Sequence, residues 1–444
     1  MIKKLLRLYS PPVPAPHSWK DHGILPALAT VFFDYTSIVL AGVVFAPIII
    51  GGALTSSGGD VLRFFDFSVE SRTLIFCLAI AIYPFLQFFL APVIGSMSDR
   101  FGRKPILVVS CIGLCVSAFL TAIGVYCGYF SEAGIYIILL SRIFTGLFSG
   151  NIGVTQSALT DYAKTKQMQG NIGLTFVSFG MMAATGSILG ALIGGFIPVY
   201  FGFYATFLIL GCLNLLNALW LSFFFKETIS EESRREKASV NPFMGIKYIK
   251  TAYLHMGRPL TYIFTMYIFY RIGWQFFVNF SQLYIVREWN PSHAETYIGF
   301  LWIVGMICYS LLQYFVNQPL NKLGHGKDKV MRLTLFIEGG FLLASSFVGQ
   351  LVPTFIILGV IGIAANSFNS SNSAAAVGAL APADKKGYVL GCAQSFQAMA
   401  QFITAIVAGF AANLYIPFPI ILSGACILMA GFILNATYKR IHAK

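Results

Sequence analysis

Long apolar runs separated by short polar segments make up most of this chain of 444 residues. A helix needs about 20 mostly apolar residues to cross a lipid bilayer, and twelve of the runs are long enough. We therefore predict twelve transmembrane helices, numbered here as spans 1 to 12. They cover approximately residues 26–50, 72–95, 105–128, 135–158, 170–198, 201–225, 260–286, 296–317, 331–349, 354–378, 388–412 and 417–438.

Composition agrees with this pattern, because 57% of the residues are hydrophobic and only 11% are charged. Soluble domains contain about 25% charged residues, so we expect an integral membrane protein whose surroundings are the lipid bilayer. The formal charge of +13 would suit a nucleic-acid partner if the basic residues were clustered on one surface. Instead, 25 of the 30 Lys and Arg lie in segments that are all cytoplasmic if the N-terminus is cytoplasmic. This positive-inside pattern predicts cytoplasmic termini and no nucleic-acid partner.

A charged segment divides the twelve runs into two groups of six. Two sequence echoes indicate that the groups are related. Asp99-Arg100-Phe101-Gly102-Arg103 resembles Asn321-Lys322-Leu323-Gly324-His325, and the residues around Gly170 recur around Gly387 at nearly the same offset. We expect a cytoplasmic tail (1–25), a six-helix bundle (26–225), a linker (226–258) with a short amphipathic helix at 242–253, a second bundle (259–438) and a final tail (439–444).

The segment between spans 2 and 3 reads Gly95-Ser96-Met97-Ser98-Asp99-Arg100-Phe101-Gly102-Arg103-Lys104-Pro105. We predict a tight turn in which Gly95 and Gly102 supply backbone freedom. The pattern resembles the loop signature of the major facilitator superfamily of secondary transporters. This resemblance implies an all-α integral membrane protein with twelve transmembrane helices in two pseudo-symmetric six-helix bundles, and transport by alternating access.

The same loop is expected to work as a cytoplasmic gate built from Asp99, Arg100, Arg103 and Lys104. Asp99 would cap the start of span 11, where the helix dipole favours negative charge. Arg103 would pair with Asp161 at the end of span 4. The simpler interpretation is a basic loop that only fixes topology, and it does not require Asp99 at this position.

Within the superfamily, the chain is most similar to the drug/proton antiporters of the tetracycline-efflux type. Ser141-Arg142-Ile143 is similar to their motif in span 4, and span 5 contains an antiporter-like series of glycines. That series includes Gly186, Gly190, Gly194 and Gly195. Small residues at this spacing let helices approach closely. Ser187 stands where the family has Pro, and Ala191 where it has Gly, and the missing Pro weakens the inference of antiport.

Four ionisable side chains lie inside apolar spans: Asp34, Arg142, Arg271 and Glu338. Each costs roughly 2.5–3.5 kcal/mol on insertion scales, so each is a functional candidate. Phe33-Asp34-Tyr35 resembles the acidic position of the family's first span, and Glu338 aligns with an essential Asp of the tetracycline exporters. A carboxyl in a low-dielectric cavity can exchange a proton near physiological pH. We expect Glu338, followed by Asp34, to couple transport to protons; the alternative is a carboxyl paired with Arg for packing alone.

Arg142 and Arg271 could neutralise those carboxylates or contact an anionic substrate. For Arg142 the resemblance implies a role in gating or in the proton path, and for Arg271 a structural ion pair is the alternative. Span 10 adds Asn366, Asn369 and Ser373, which share one helical face at i, i+3 and i+7. Together with Gln282 of span 7 and Gln397 of span 11, they are expected to line a polar substrate cavity. Hydrogen bonding between helices is the alternative role for these amides.

These observations predict a proton-coupled transporter of a small molecule, an efflux antiporter in the first instance. The alternative is a proton symporter that imports a polar or anionic nutrient or a metal chelate, and a membrane sensor without transport is a third possibility. The sequence contains no Ser/His/Asp arrangement, His-Glu-x-x-His, phosphate loop or metal-ligand cluster, so we expect no enzyme and no cofactor or metal. We expect a monomer in a bacterial inner membrane.

Overall fold

The computed structural model describes residues 24–50, 68–163, 172–229, 258–289, 292–317, 319–320, 327–349, 351–380 and 386–441. The amphipathic helix expected at 242–253 and the echo at 321–325 lie outside these residues.

The described residues form twelve helical spans, which confirms the predicted fold class. The first six are Leu25–Ile49, Val69–Phe101, Arg103–Gly128, Ala133–Phe148 continued by Asn151–Ala163, Ile172–Phe201 and Phe203–Phe224. The last six are Arg258–Tyr284, Ala294–Leu312, Lys327–Ser345, Val352–Leu380, Lys386–Leu414 and Phe418–Ile441. Spans 7 and 8 each end in a π-helical turn, Ile285–Trp289 and Gln313–Asn317.

Ten of the described helical segments are long and apolar enough to cross a membrane. Spans 7 and 9 do not meet that measure. Span 7 contains Arg271, and span 9 contains Glu338 together with the charged residues of its first two turns. The two spans that are least typical of a membrane helix therefore include two of the four candidate ionisable residues.

The helices of each half pack in matching patterns. Span 3 packs against spans 4 and 6, and span 9 packs in the same way against spans 10 and 12. The halves meet along two equivalent pairs, span 2 with span 11 and span 5 with span 8. Hydrogen bonds join the halves at mid-bundle, from Gln401 Nε2 to the Tyr83 hydroxyl at 2.6 Å, and near the end of span 5, from Thr296 Oγ1 to the Gly195 carbonyl at 3.0 Å.

Glycines determine how closely span 5 approaches its neighbours. A Cβ atom placed on Gly186 would collide with the Phe32 carbonyl of span 1, and one on Gly190 would collide with the Thr36 carbonyl. A Cβ on Gly194 would lie 3.0 Å from Val43 Cβ, also in span 1. Span 5 therefore packs against span 1 with backbones nearly in contact. Gly195 instead faces span 8 across the boundary between the halves.

Span 4 differs from the single helix that the sequence predicts. Its helix stops at Phe148 and resumes at Asn151, so the span is broken at Ser149 and Gly150. A Cβ on Gly150 would lie 2.6 Å from the Ile94 side chain of span 2, so only glycine allows this approach. The break directs Asn151 toward the interior, where it is 2% exposed.

Candidate functional site

Asp34 lies within span 1, where it is buried with 3% of its surface exposed. Asn151 Nδ2 donates a hydrogen bond of 2.5 Å to Asp34 Oδ1. The Asn151 carbonyl oxygen accepts from the backbone N–H of Ile152, which orients the amide so that its nitrogen faces the carboxyl group. Asp34 Oδ2 is buried and has no hydrogen-bond partner among the described residues. One oxygen of this carboxyl is held, and the other is open to a proton.

Glu338 has the same kind of surroundings in the second half. It is fully buried in span 9, and Asn369 Nδ2 of span 10 donates to Glu338 Oε2 at 2.5 Å. Thr334 Oγ1 donates to the Asn369 carbonyl oxygen at 2.7 Å, which fixes the orientation of that amide. Glu338 Oε1 is buried without a hydrogen-bond partner in the part of the chain that the structure describes. Each half therefore contains one carboxyl held by one asparagine of a neighbouring span.

Arg271 lies near the middle of span 7 in a cluster of tyrosines. Its Nε donates to the Tyr267 hydroxyl at 3.1 Å, and its guanidinium carbon lies 5.2 Å from the centre of the Tyr267 ring and 5.8 Å from that of Tyr270. Tyr35 of span 1 and Tyr309 of span 8 are within electrostatic range of the same cation. Arg271 makes no ion pair with any described carboxylate.

Arg142 is separate from this cluster. Its guanidinium carbon lies 4.6 Å from the centre of the Phe45 ring, and its Nε is buried without a hydrogen-bond partner among the described residues. The described carboxylates make no ion pair with it either. The structure therefore does not place Arg142 as the direct charge partner of Asp34 or Glu338. Contact with the ring face compensates part of the cost of burying this cation.

The structure brings together only part of the amide set expected to line a cavity. Asn366 accepts a hydrogen bond from the Tyr270 hydroxyl, and Asn369 binds Glu338. Ser373 is buried on the same helical face and donates to a carbonyl of its own helix. Gln282 is in the last turn of span 7, about 16 Å along the helix axis from Arg271 at 1.5 Å per residue, so it does not join this cluster.

Span 11 adds amides at the boundary between the halves. Gln397 is half-buried one turn before Gln401, which donates to the Tyr83 hydroxyl of span 2 at 2.6 Å. Gln397 therefore lies on the helix face that turns toward the first half. Gln397 was predicted from the sequence to line the cavity, whereas Tyr83 was not.

The segment between spans 2 and 3 is more helical than the predicted turn. The helix of span 2 continues through Gly95 to Phe101, and a Cβ on Gly95 would meet nothing within 4 Å, so glycine is not required there. Gly102 alone makes the reversal, with φ of 99°, a value that L-residues rarely adopt. The chain enters span 3 directly at Arg103.

Arg103 organises the side chains of this connection. Its Nε donates to Asp161 Oδ2 at 2.7 Å, and its Nη1 contacts Asp99 Oδ1 at 3.3 Å. Arg100 lies over the Phe101 ring at 5.0 Å. The contact expected between Asp99 and the start of span 11 remains a prediction. The structure therefore brings Arg103 and Asp161 together and adds Asp99 to the same pair.

Glu227, which follows span 6, was not identified from the sequence. Its carboxylate accepts hydrogen bonds from the backbone N–H groups of Arg103 at 2.9 Å and Lys104 at 3.1 Å, so it caps the first turn of span 3. Partial burial alone would raise the pKa of Glu227, but the backbone N–H hydrogen bonds outweigh it and hold the pKa below its ordinary value of 4.5. A signal was present, because Glu227 is the first acidic residue after an apolar run.

Asn151, Tyr35 and Tyr309 were likewise not predicted from the sequence as site residues. A lone Asn just after Gly150, inside an apolar segment, was the available signal for Asn151. The tyrosines gave no such signal, since 21 are spread through the chain. The described residues contain no group of three or more His, Cys, Asp and Glu side chains that could hold a metal ion.

Comparison with known proteins identifies the family. The profile of the Major Facilitator Superfamily matches residues 27–261 and 263–443. Tetracycline resistance protein, class C, from Escherichia coli is 26% identical over 287 residues, which are 64% of this chain and 67% of that protein. The class B protein from the same organism is 32% identical over 153 residues, 34% of this chain and only 35% of that protein.

Two solved structures share the fold. The human organic anion transporter MFSD10 (TETRAN) has a TM-score of 0.68 at 16% identity, over 94% of this chain and 100% of that one. The D-xylose-proton symporter has a TM-score of 0.70 at 13% identity, over 92% of this chain and 95% of that one. At these identities the likeness shows the fold alone. The profile match, which spans nearly the whole chain, shows more: the chain belongs to the major facilitator superfamily and is a multi-pass membrane transporter.

Proposed function

We propose that this transporter exports a small molecule in exchange for protons. The main support is the matched pair of Asp34 and Glu338, because each half supplies one buried carboxyl with one held oxygen and one open oxygen. The names of its relatives favour export. Besides the tetracycline resistance proteins, the multi-drug resistance efflux pump PmrA from Streptococcus pneumoniae is 26% identical over 38% of this chain and 40% of that protein.

Both carboxyls can take up and release a proton. A neutral carboxyl is compatible with an apolar interior, whereas a carboxylate needs donors, and Asn151 and Asn369 each provide one. Protons that enter from outside would bind Glu338 and Asp34 and compete with the outgoing substrate. Release of the protons inside would reset the cycle. The substrate would bind between the halves, where Arg271, Tyr35 and Tyr309 come from both of them.

Proton-coupled import of a polar or anionic nutrient or a metal chelate is the second candidate. Two observations favour it. Arg271 has no carboxylate partner among the described residues, so it is available to an anion. Ser187 replaces the Pro of the antiporter motif and lies inside the uninterrupted helix Ile172–Phe201, where its hydroxyl donates to the Ala183 carbonyl at 2.7 Å.

We further propose a monomer in a bacterial inner membrane with both termini in the cytoplasm.

Comparison of small molecules inside and outside cells tests direction and coupling together. The cells would contain the intact protein, no protein, Glu338→Gln or Glu132→Gln, an exposed carboxylate that serves as the matched control. An exported compound accumulates inside cells that lack the protein or contain Glu338→Gln, and not in the other two. A compound left in the medium by those same cells would identify an importer. Transport by Glu338→Gln equal to that of the intact protein would refute the proton role of Glu338.

A further inference from the structure

Arg271 has hydrogen-bond donors that the described protein groups do not use and that a ligand could occupy. Only its Nε makes a hydrogen bond, to Tyr267, so both terminal nitrogens of the guanidinium lack a hydrogen-bond or ion-pair partner among the described residues. Arg271 is half-buried although it lies in the middle of a span, so part of its surface is not covered by protein atoms. A buried cation without a counter-ion is costly in such surroundings. A bound anion would remove that cost.

The surrounding side chains define what kind of anion fits. The guanidinium carbon of Arg271 lies 5.2 Å from the centre of the Tyr267 ring and 5.8 Å from that of the Tyr270 ring. These are contacts with ring faces, so the terminal N–H groups of the guanidinium stay available to a ligand. Tyr35 and Tyr309 are half-buried and interact electrostatically with the same cation. The half-buried rings of Tyr35 and Tyr309 present flat, partly apolar walls with hydroxyl groups, whereas Tyr267 and Tyr270 are fully buried. A planar organic body with one charged end matches such walls.

Charge balance restricts the ligand further. With Asp34 and Glu338 neutral, Arg271 contributes a single positive charge to this cluster, and one negative charge cancels it. A carboxylate also matches the two parallel N–H groups of the guanidinium edge. A dianion such as a phosphate monoester would leave one uncompensated negative charge in a medium of low dielectric constant.

We propose that Arg271 is the anchor of a substrate site for planar organic monocarboxylates, with Tyr35 and Tyr309 as walls from spans 1 and 8. The proposal deepens the proposed transport function by naming a substrate class, and it rests on that function only for the direction of movement. Binding itself needs no proton gradient. Glu338 interacts electrostatically with Arg271, yet its carboxyl is held by Asn369 and is outside ion-pair distance of Arg271.

Equilibrium binding to the purified full-length protein in detergent tests the site. The probes are 2-naphthoate, the neutral 2-naphthamide and 2-naphthyl phosphate, which share one ring system. We expect 2-naphthoate to bind more tightly than the other two. Arg271→Gln should weaken 2-naphthoate binding roughly tenfold to a hundredfold, the range of a charge-assisted hydrogen-bonded pair, and should leave 2-naphthamide unchanged.

Two further variants control for folding and for charge. Arg271→Lys keeps the positive charge without the planar fork and should give an intermediate affinity. Arg332→Gln makes the same chemical change near the start of span 9, where Arg332 donates to Asn435 at 3.0 Å, and should bind 2-naphthoate normally. Equal binding of 2-naphthoate and 2-naphthamide, full affinity in Arg271→Gln, or no 2-naphthoate binding to the folded intact protein would each overturn the proposal. If Glu338→Gln binds 2-naphthoate but transports normally, the proton role fails while the anion site stands.

Discussion

Asn369 donates its side-chain hydrogen bond to Glu338 across the contact between spans 10 and 9, at 2.5 Å. The Asn369 amide cannot flip without losing a hydrogen bond, because its oxygen accepts from the Thr334 hydroxyl at 2.7 Å. The three side chains therefore form a directed chain from hydroxyl to amide to carboxyl. A change in the protonation of Glu338 therefore alters the strength of its hydrogen bond with this amide, and with it the contact between the two spans.

The contact between Asn369 and Glu338 should appear as a coupling in the free energy of unfolding. Asn369→Leu leaves a buried carboxyl unsatisfied, and Glu338→Leu leaves a buried amide unsatisfied, so each should cost about 1–3 kcal/mol. The double variant should lose less than the sum, because neither polar group remains. Unfolding of the purified proteins in detergent measures all three.

The matched control for this cycle combines Asn369→Leu with Glu132→Gln, which lies in an exposed loop. That pair should be additive within about 0.5 kcal/mol, as distant sites are. Additivity of Asn369→Leu and Glu338→Leu to the same degree would show that the contact contributes no coupling.

Gly190→Ala should damage the packing of span 5 on span 1. The new methyl group would meet the Thr36 carbonyl oxygen and lie 3.0 Å from the Leu40 nitrogen, and backbone atoms cannot rotate away. We expect a loss of about 1–3 kcal/mol, as for other overpacked sites. The yield of monodisperse protein on size-exclusion chromatography and its thermal midpoint measure the effect.

Gly42→Ala is the control in the partner helix, span 1. A Cβ at Gly42 would meet nothing within 4 Å, so the substitution should be neutral or stabilise the helix by about 0.5–1 kcal/mol. If Gly190→Ala behaved like Gly42→Ala, the close contact between spans 1 and 5 would be refuted.

Arg103→Lys should destabilise the connection between spans 2 and 3. A lysine ammonium cannot contact Asp161 and Asp99 with the fixed fork of a guanidinium, and Arg103 is only 7% exposed. We expect a lower thermal midpoint, equivalent to about 1–2 kcal/mol. Lys104→Gln is the control, since the contact of Lys104 with Glu227 is made by its backbone N–H. Equal midpoints for the two variants would argue against the role of Arg103.

Glu227 should make stability depend on pH in a defined direction. Its pKa in the folded protein is held below 4.5 by backbone N–H donors, so its contribution is fully present above the unfolded pKa and is lost as pH falls through the folded pKa. Glu227→Gln should therefore be less stable than the intact protein at pH 7, and the difference should shrink toward pH 3. Thermal midpoints across that range measure it. A difference that grows on acidification would have the wrong sign.

Some of this architecture follows directly from the sequence. Twelve apolar runs predict twelve spans because length and hydropathy are local properties of the chain. The same holds for the glycine series of span 5, since a period near four places Gly186, Gly190 and Gly194 on one face. Gly102 was also predictable as a turn residue, whereas Gly95 was not, because a glycine inside a helix has the same sequence appearance as one in a turn.

The partners of the ionisable residues could not be predicted in this way. Asp34 was identified from its position in an apolar run, but its contact with Asn151 depends on the break in span 4 and on the packing of spans far apart in sequence. The tyrosines around Arg271 come from three spans and two halves. Gln282 was grouped with Asn369 by residue type alone. In the structure, Gln282 lies too far along span 7 from Arg271 to join the same cluster.

At the contact between Gly195 and Gly299 the backbones of the two halves meet directly. A Cβ on Gly195 would lie 3.1 Å from Gly299 Cα, and one on Gly299 would lie 2.9 Å from Gly195 Cα. Elsewhere, side chains that pack between two helices must disengage before the helices can turn past each other. At this glycine pair no side chain has to disengage, so spans 5 and 8 can turn past each other there once the neighbouring hydrogen bond from Thr296 Oγ1 to the Gly195 carbonyl and the Phe196–Phe300 ring contact give way.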